Sequence, residues 1–576
     1  MRAAEVADVL EEIGRLLEFQ GGNPFKARAY RNAAQTLRTI EEPLVDVVAE
    51  GRLRELPGIG PAIAQKIEQL AETGSIPLHQ KLLAETPIGV LELIAVPGVG
   101  PVRARAAYDA LGIASLDELE AAATSGRLTE VRGFGERTVA TVLAGLARTR
   151  EYSGRFLGYE ARGVAELLLA RLETNPAVVR AAVAGGLRRR METVHDIDLV
   201  AAANDPTAVI DAFVSQPAVA EVTARGDTKV TVRMAAGLPA DLRIVPPRAF
   251  PFALQYLTGS QAHNTRLRGI AKRKGLKLNE YGLSPIATDG DDSLDCPDEA
   301  AVYGALGLPC IPPELREDRG EIEAAQAGRL PELIEIEDLR GVVHCHTVWS
   351  DGRGTIAEMA RAAGERGYEY LVVCDHSRSA AYAGGLTAAD LARQRAEIRK
   401  VNAGDPGCTV LAGCEVDILA DGSLDYPDEV LARLDCVVAS LHSRLGLPRE
   451  EQTARVLKAL ENPYLDMLGH PTGRVLLRRE GADLDIERVL DAAAARGVLV
   501  EVNADPHRLD LDWRWHRAGV ERGVRFSIDP DAHGPETIDL LEGGVAVARK
   551  GGLTAGDVVN AGSLAEFEAA LRRNRD

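Results

Sequence analysis

The stretch VVHCHTVWSDG, residues 342–352, is an apolar run that ends in two histidines and an aspartate. His344 and His346 flank Cys345, so on an extended strand both imidazoles leave from one face and reach one cation. The arrangement recurs downstream. Eight of the eleven histidines lie after residue 340, and six of those stand at or just past the end of a short apolar run: His344, His346, His376 in VVCDHS, His442 in VASLHS, His470 in DMLGHP and His533 in DPDAH. Asp351, Glu415 in LAGCEVDI and Asp531 take equivalent places. Between them, apolar runs alternate with Ala-rich helical segments, the rhythm of an α/β barrel with parallel strands whose C-terminal ends converge on one mouth. These nine nitrogen and oxygen donors suit Zn2+, Mn2+ or Fe2+, in a cluster of up to three ions.

The rest of the chain is of a different kind. At 576 residues it is long enough for several domains. The seven cysteines form no CxxC pair, which argues against a zinc ribbon and for a reducing compartment. No signal peptide or spanning apolar stretch is found, so the expectation is a cytoplasmic protein with no membrane partner. The net charge is −19, with −8 up to residue 335 and −11 beyond it. Neither half is basic, so contact with nucleic acid would fall to local clusters such as Arg188 to Arg190, or Arg266 to Lys277, and to backbone amides.

Residues 1–150 read as short helices, with one pattern three times over: LPGIGPAIAQKI from Leu56, VPGVGPVRARAA from Val96 and VRGFGERTVATV from Val131. A glycine turn that opens a helix brings amide N–H groups close to a phosphate. The three runs resemble helix-hairpin-helix DNA-binding modules, with Gly58, Gly60, Gly98 and Gly100 as candidate DNA contacts.

From about 155 the pattern is α+β. In HDIDL, Asp196 and Asp198 are two apart and project from one face of a strand, while Asp241 in ADLRIV lies on a separate strand-like segment. Three carboxylates from two adjacent strands suit a pair of Mg2+ or Mn2+ ions roughly 3.5 to 4 Å apart, the spacing for in-line phosphoryl transfer.

The order GGLRRRMETVHDIDL, DLRIV, YLTGSQAHNTRLRGIAKRKGLKLNEYGL resembles the palm and thumb of family X DNA polymerases, and with the hairpin modules the resemblance spans residues 1 to about 315. It implies a lyase-like helix-hairpin-helix domain over 1–85, fingers over 86–155, a nucleotidyltransferase palm over 156–247 and a thumb over 248–315. It implies further that Asp196, Asp198 and Asp241 hold the metals, with Asp241 accepting the primer 3′-hydroxyl proton. Arg189 matches a triphosphate-binding arginine. Tyr256 and Gly259 match the segment beneath the incoming sugar, and Asn264 and Arg268 match contacts to base and template. Gly186 stands where the family has Ser, while His195 and Arg190 stand where it has Gly. Lys66 matches the lysine that attacks an abasic sugar as a Schiff-base nucleophile, and Lys26 and Tyr30 match a 5′-phosphate pocket. A second basic position of that pocket is Ala62 here.

After a proline-punctuated acidic stretch expected to be a linker, 316–340, the order HxHTxxSDG, DHS, GxE, LHS, GHP, DxH resembles the PHP (polymerase and histidinol phosphatase) domain over 341–576, and all nine ligand positions match. The resemblance implies metal-dependent phosphoester hydrolysis, with His507 and Arg508 near the mouth as substrate contacts. The expectation is a monomeric, nucleoid-associated repair polymerase that fills short gaps, as in base excision repair. Its partners are gapped or primer-template DNA and dNTP, and its PHP domain acts as a 3′–5′ exonuclease or phosphoesterase with abasic-site processing. Two other readings stand beside it: a structure-directed nuclease with weak polymerase activity, and a DNA-binding scaffold carrying a PHP phosphatase.

Overall fold

The computed structural model describes residues 3–38, 44–73, 75–87, 89–286 and 293–571. They form two compact units, one ending at Ser153 and one beginning at Gly154.

The first unit is all helix. Helices Ala3–Phe19 and Pro24–Arg38 interlock through Leu10, Ile13, Leu16, Tyr30 and Leu37, and a second cluster gathers around Ala104, Phe134 and Val142. Each glycine run is a turn into a helix. Gly58, Gly98 and Gly133 have φ of 76°, 87° and 95°, just ahead of helices Pro61–Thr73, Gly100–Leu111 and Glu136–Tyr152. A side chain at these φ values would be strained, which is why the pattern holds glycine there.

The second unit opens with a five-stranded sheet in the order Val178–Val183, Ile197–Ala203, Pro239–Val245, Lys229–Met234, Val219–Arg225. The pair Ile197–Ala203 and Pro239–Val245 is parallel, the others antiparallel. Strand alternation divides the work. Leu199, Ala201, Leu242 and Ile244 face helices Gly158–Glu173 and Pro206–Val214, whereas Val200, Ala202 and Val245 pack on helix Phe250–Thr258. Asp198 and Asp241 share the parity of the second set and so emerge on that face. Helix Gln261–Arg273 and the hairpin of Leu276–Asn279 with Gly282–Pro285 close around Leu267, Ile270, Leu283 and Tyr303.

The stretch 316–340 is folded along its length: Arg316 is fully buried, Ile322 belongs to the cluster around Tyr303, and Ile334 belongs to the core that follows. That core is a seven-stranded sheet with every pair parallel and strands in chain order: Gly341–Cys345, Tyr370–Val373, Thr409–Asp417, Cys436–Ser440, Met467–Leu468, Leu499–Asn503 and Phe526–Asp529. A parallel bridge between Cys345 and Ala532 brings its last end to its first, so the sheet is nearly a closed barrel. Strands covered on both faces need no polar alternation, hence runs such as CVVAS, buried at all positions. Two of the helices between them, Ile356–Glu365 and Ala388–Ala403, start on capping boxes, Thr355 with Glu358 and Thr387 with Asp390. No helix among the described residues is long and apolar enough to cross a membrane.

Candidate metal centres

In the five-stranded sheet, Asp198 and Asp241 are register partners across the parallel pair, and Asp196 precedes the same strand. The three carboxylates each bring an oxygen within 4.8 Å of the others. Burial, with Asp196 and Asp241 adding like charge, pushes Asp198 up to about 6. Burial and Asp241 also raise Asp196. Lys229, which no sequence motif marks, puts its Nζ 2.6 Å from Oδ2 of Asp241. Its charge also favours the ionised forms of Asp196 and Asp198, yet both stay raised, and a divalent cation fits that donor set. The backbone of Gly185 passes close to Asp198. Its φ is 61°, and a Cβ there would stand 1.9 Å from Oδ2 of Asp198. The first glycine of GGLRRR is the sequence signal for this close approach.

The residues matched to nucleotide binding gather around the turn between helices Phe250–Thr258 and Gln261–Arg273. Nε of Arg189 donates to Glu317 at 2.8 Å, and its Nη1 donates to the Thr258 carbonyl at 2.8 Å. Asn264 is buried, its Nδ2 donating to the carbonyls of Tyr256 (2.6 Å) and Gly259 (2.9 Å). A Cβ on Gly259 would stand 2.4 Å from Oδ1 of Asn264, so the amide and the glycine are matched by close approach. Arg268 is exposed one turn further along. His195 is hydrogen-bonded through Nδ1 to the Gly154 carbonyl at 3.1 Å. Arg190 has φ of 60°, which explains glycine at that position in the family pattern.

In the first unit, Lys26, Tyr30, Gly58, Gly60 and Ala62 line one groove. Tyr30 is nearly buried, which raises its phenol pKa. Lys66 lies one turn beyond the groove, half-buried, its Nζ 3.4 Å from Oε1 of Gln69. Gly98 and Gly100 sit in the second hairpin, at φ of 87° and 59°.

At the barrel mouth all nine expected donors converge, in overlapping sets. His346, Asp351, His376 and His533 form one; His344, Glu415 and His470 another; His344, His346 and Asp531 a third; His376, Glu415 and His442 a fourth. The route differs from the strand alternation expected for His344 and His346. His344 has φ of 59°, the register shifts between Val342 and Cys345, and His346 lies past the strand end. A bulge thus turns the two rings to within 5.2 Å. Asp531 is also left-handed, at φ of 50°. Such conformations cost about 1 to 2 kcal/mol each and persist where surrounding structure enforces them.

The donors have the environment a cation requires. Nε2 of His344 and both ring nitrogens of His346 are buried with no hydrogen-bond partner. Burial alone would protonate Glu415, yet His442, His376 and His344 hold its pKa well below the ordinary value. Outer contacts fix the rings: Nδ1 of His344 is 2.5 Å from Glu501 and Nδ1 of His442 is 2.7 Å from Asp417. Asp375 gathers the Thr347 amide (2.7 Å), Ser350 (2.5 Å) and Gln394 (2.5 Å), pinning the loop that carries Asp351. Sequence reasoning missed Glu501, Asp417 and Asp375, though Asp375 and Asp417 adjoin matched residues in VVCDHS and GCEVDI. Nε of Arg508 lies 3.9 Å from Oδ2 of Asp531, while His507 is half-exposed and pairs with Asp505 at 3.0 Å.

Family models match over 1–76 (helix-hairpin-helix domain), 90–148 (SAM-like helix-hairpin-helix tandem), 253–317 (DNA polymerase beta thumb) and 343–505 (PHP domain). Over 577 residues, covering all of both chains, the sequence is 36% identical to the "DNA polymerase/3'-5' exonuclease PolX" of Bacillus subtilis. The chain belongs to the family X DNA polymerases that carry a PHP domain. Part of this family X chain also matches two smaller proteins. A "Probable phosphatase" of Thermoanaerobacter sp. is 30% identical over 243 residues, 40% of this chain and 94% of that protein. Another, of Caldanaerobacter subterraneus, is 30% identical over 207 residues, 33% of this chain and 74% of that protein.

Proposed function

We propose that this family X chain is a DNA-directed DNA polymerase that fills short gaps, and that its barrel removes nucleotides from a DNA 3′ end. The observation that carries the reading is the pairing of Asp198 with Asp241 on parallel strands of the same compact unit that holds the nine-donor mouth. The proposed division is 1–85 and 86–155 as DNA-gripping helical domains, 156–247 as palm, 248–315 as thumb, 316–340 as connector and 341–576 as PHP domain.

In the palm, Asp196, Asp198 and Asp241 would hold Mg2+ or Mn2+; at the mouth the nine donors would hold up to three ions of Zn2+, Mn2+ or Fe2+. Bound divalent ions supply Lewis acidity and neutralise charge that develops on the reacting phosphate oxygens. Asp241 takes the proton of the primer 3′-hydroxyl once Lys229 yields its carboxylate. Arg189 binds the triphosphate, while Tyr256 and Gly259, braced by Asn264, form the floor beneath the sugar, and Arg268 reaches the template. At the mouth, Arg508 is the cation placed to take the phosphate of the departing nucleotide, and His507 widens that contact. Lys26 and Tyr30 cradle a 5′-phosphate in the groove beside Gly58 and Gly60. Gly98 and Gly100 offer amides to the DNA backbone. The proposed ligands are gapped DNA and dNTP, and the protein works as a nucleoid-associated cytoplasmic monomer.

The test is a labelled primer on one-nucleotide-gapped DNA with a 5′-phosphate, dNTPs and Mg2+ or Mn2+. Asp198→Ala should abolish extension and spare shortening; His344→Ala should do the reverse. A wild type that only shortens the primer makes the nuclease reading the main one, with His195 and Gly186 as the altered nucleotide pocket. A barrel that acts on small phosphoesters and leaves DNA intact supports the phosphatase reading.

A further inference from the structure

The PHP domain reaches into the palm through a buried lysine. Lys550, the last residue of helix Leu541–Lys550, is 2% exposed and belongs to none of the metal-donor sets. Its Nζ lies 2.7 Å from Oε1 of Glu317, 3.0 Å from the Arg189 carbonyl and 3.4 Å from the Glu314 carbonyl, and 4.4 Å from the centre of the Trp513 ring. The same Glu317 oxygen accepts from Nε of Arg189 at 2.8 Å. One carboxylate therefore lies between a PHP cation and a palm cation. Three residues along, Glu192 is 6% exposed and accepts from Arg514 of the PHP domain at 3.1 Å, with Arg474 at 3.8 Å. The palm segment 189–192 is held by the PHP domain at both ends.

The electrostatics give Lys550 a definite task. Burial pulls the Lys550 pKa down and pushes that of Glu317 up, yet Lys550 and Arg189 together hold Glu317 below the ordinary carboxylate range. A buried ion pair that loses one member leaves the other uncompensated. Without Lys550, Glu317 keeps Arg189 as its remaining cation, draws the guanidinium toward itself and sets an unneutralised negative charge beside the place of a triphosphate.

We propose that Lys550 is a positioning residue for nucleotide binding: by sharing the charge of Glu317 with Arg189 it lessens the carboxylate's hold on the guanidinium and leaves more of its charge for the triphosphate, so that the PHP domain sets the nucleotide affinity of the palm. The inference rests on the reading of Arg189 as the triphosphate arginine.

The experiment uses the full chain and measures single-nucleotide insertion into a one-nucleotide gap against dNTP concentration, beside shortening of a labelled single strand. Lys550→Met should raise the KM for dNTP about tenfold, with kcat and strand shortening within about twofold of wild type. Adding Glu317→Gln to Lys550→Met should return KM to within about threefold of wild type, because no orphaned carboxylate remains. A packing defect would not be rescued by that second change. Lys550→Gln drops the charge and keeps a donor; it should raise KM in the same way, and it decides the question if Lys550→Met does not fold. Arg189→Gln separates the two ideas. If it leaves KM unchanged, the reading of Arg189 fails; if it raises KM while Lys550→Met and Lys550→Gln do not, the coupling through Glu317 is overturned.

Discussion

His344 and Glu501 are 157 residues apart in sequence and 2.5 Å apart in the barrel, joined Nδ1 to Oε1 with both side chains fully buried. The other oxygen of Glu501 accepts the backbone N–H of His470. One carboxylate therefore orients two members of the metal-donor set from outside it, holding the Nε2 face of His344 toward Glu415 and Asp531. Replacing it with Gln leaves the shape and removes the charge that keeps the imidazole basic. Glu501→Gln should lower metal retention at the mouth and primer shortening by about 10- to 100-fold, with extension intact. Metal content per chain after dialysis, read beside the primer assay, checks this; unchanged content and unchanged shortening refute it.

Gly185 is where the palm tolerates no side chain. Its φ of 61° and the 1.9 Å that would separate a Cβ from Oδ2 of Asp198 act together. Gly185→Ala must displace Asp198 as well as strain the backbone, by about 1 to 2 kcal/mol for the latter. Extension should fall at least about 100-fold, on the scale of losing a group that stabilises the transition state, while shortening stays near wild type. The primer assay in both directions decides it, and a Gly185→Ala chain that extends normally shows that Asp198 does not need this glycine.

Lys66 is tested by chemistry rather than by rate. It stands one turn past a groove that gathers Lys26, Tyr30 and the Gly58 to Gly60 turn, with Gln69 as its partner. If it is the lyase nucleophile, borohydride should trap a covalent adduct of wild type with a 5′-deoxyribose phosphate end, and Lys66→Ala should lose it. A wild type that gives no adduct removes the lyase role; an adduct that survives Lys66→Ala moves it to another amine.

The residues that can be read from sequence are those whose chemistry is unusual for their setting. Histidines at the ends of apolar runs and paired aspartates in a strand stand out because burial would otherwise exclude them. The barrel is legible for the same reason, since a strand covered on both faces is apolar throughout. What stays hidden depends on pairing across long separations or on backbone that no motif encodes. Glu501 looks like one carboxylate among 86 acidic residues until His344 lies against it. Lys550 meets Arg189 across 361 residues. The left-handed turn at His344 adjoins the bridge from Cys345 to Ala532 where the barrel's ends meet, and without it the spacing HxH points to a plain strand.

His516 supplies a pH dependence separate from either metal centre. It is fully buried, its Nε2 donates to the Leu511 carbonyl at 3.1 Å, and Nδ1 has no partner. Burial, with Arg474 adding to it, outweighs the Leu511 carbonyl and Asp512 and brings its pKa down to about 4. Its folded pKa is therefore depressed. Above the unfolded value of about 6.5 both states are neutral and stability is full; as pH falls from there to about 4 the unfolded chain takes up a proton that the folded one refuses. Stability should drop through that window by up to about 3 kcal/mol on account of this residue. His516→Gln loses the titration, so although less stable than wild type at pH 7.5, it should close the gap as pH approaches 4.5. Thermal unfolding of both proteins across that range measures it. Groups common to the two chains cancel in the difference, and curves that stay parallel would show that His516 does not titrate with folding.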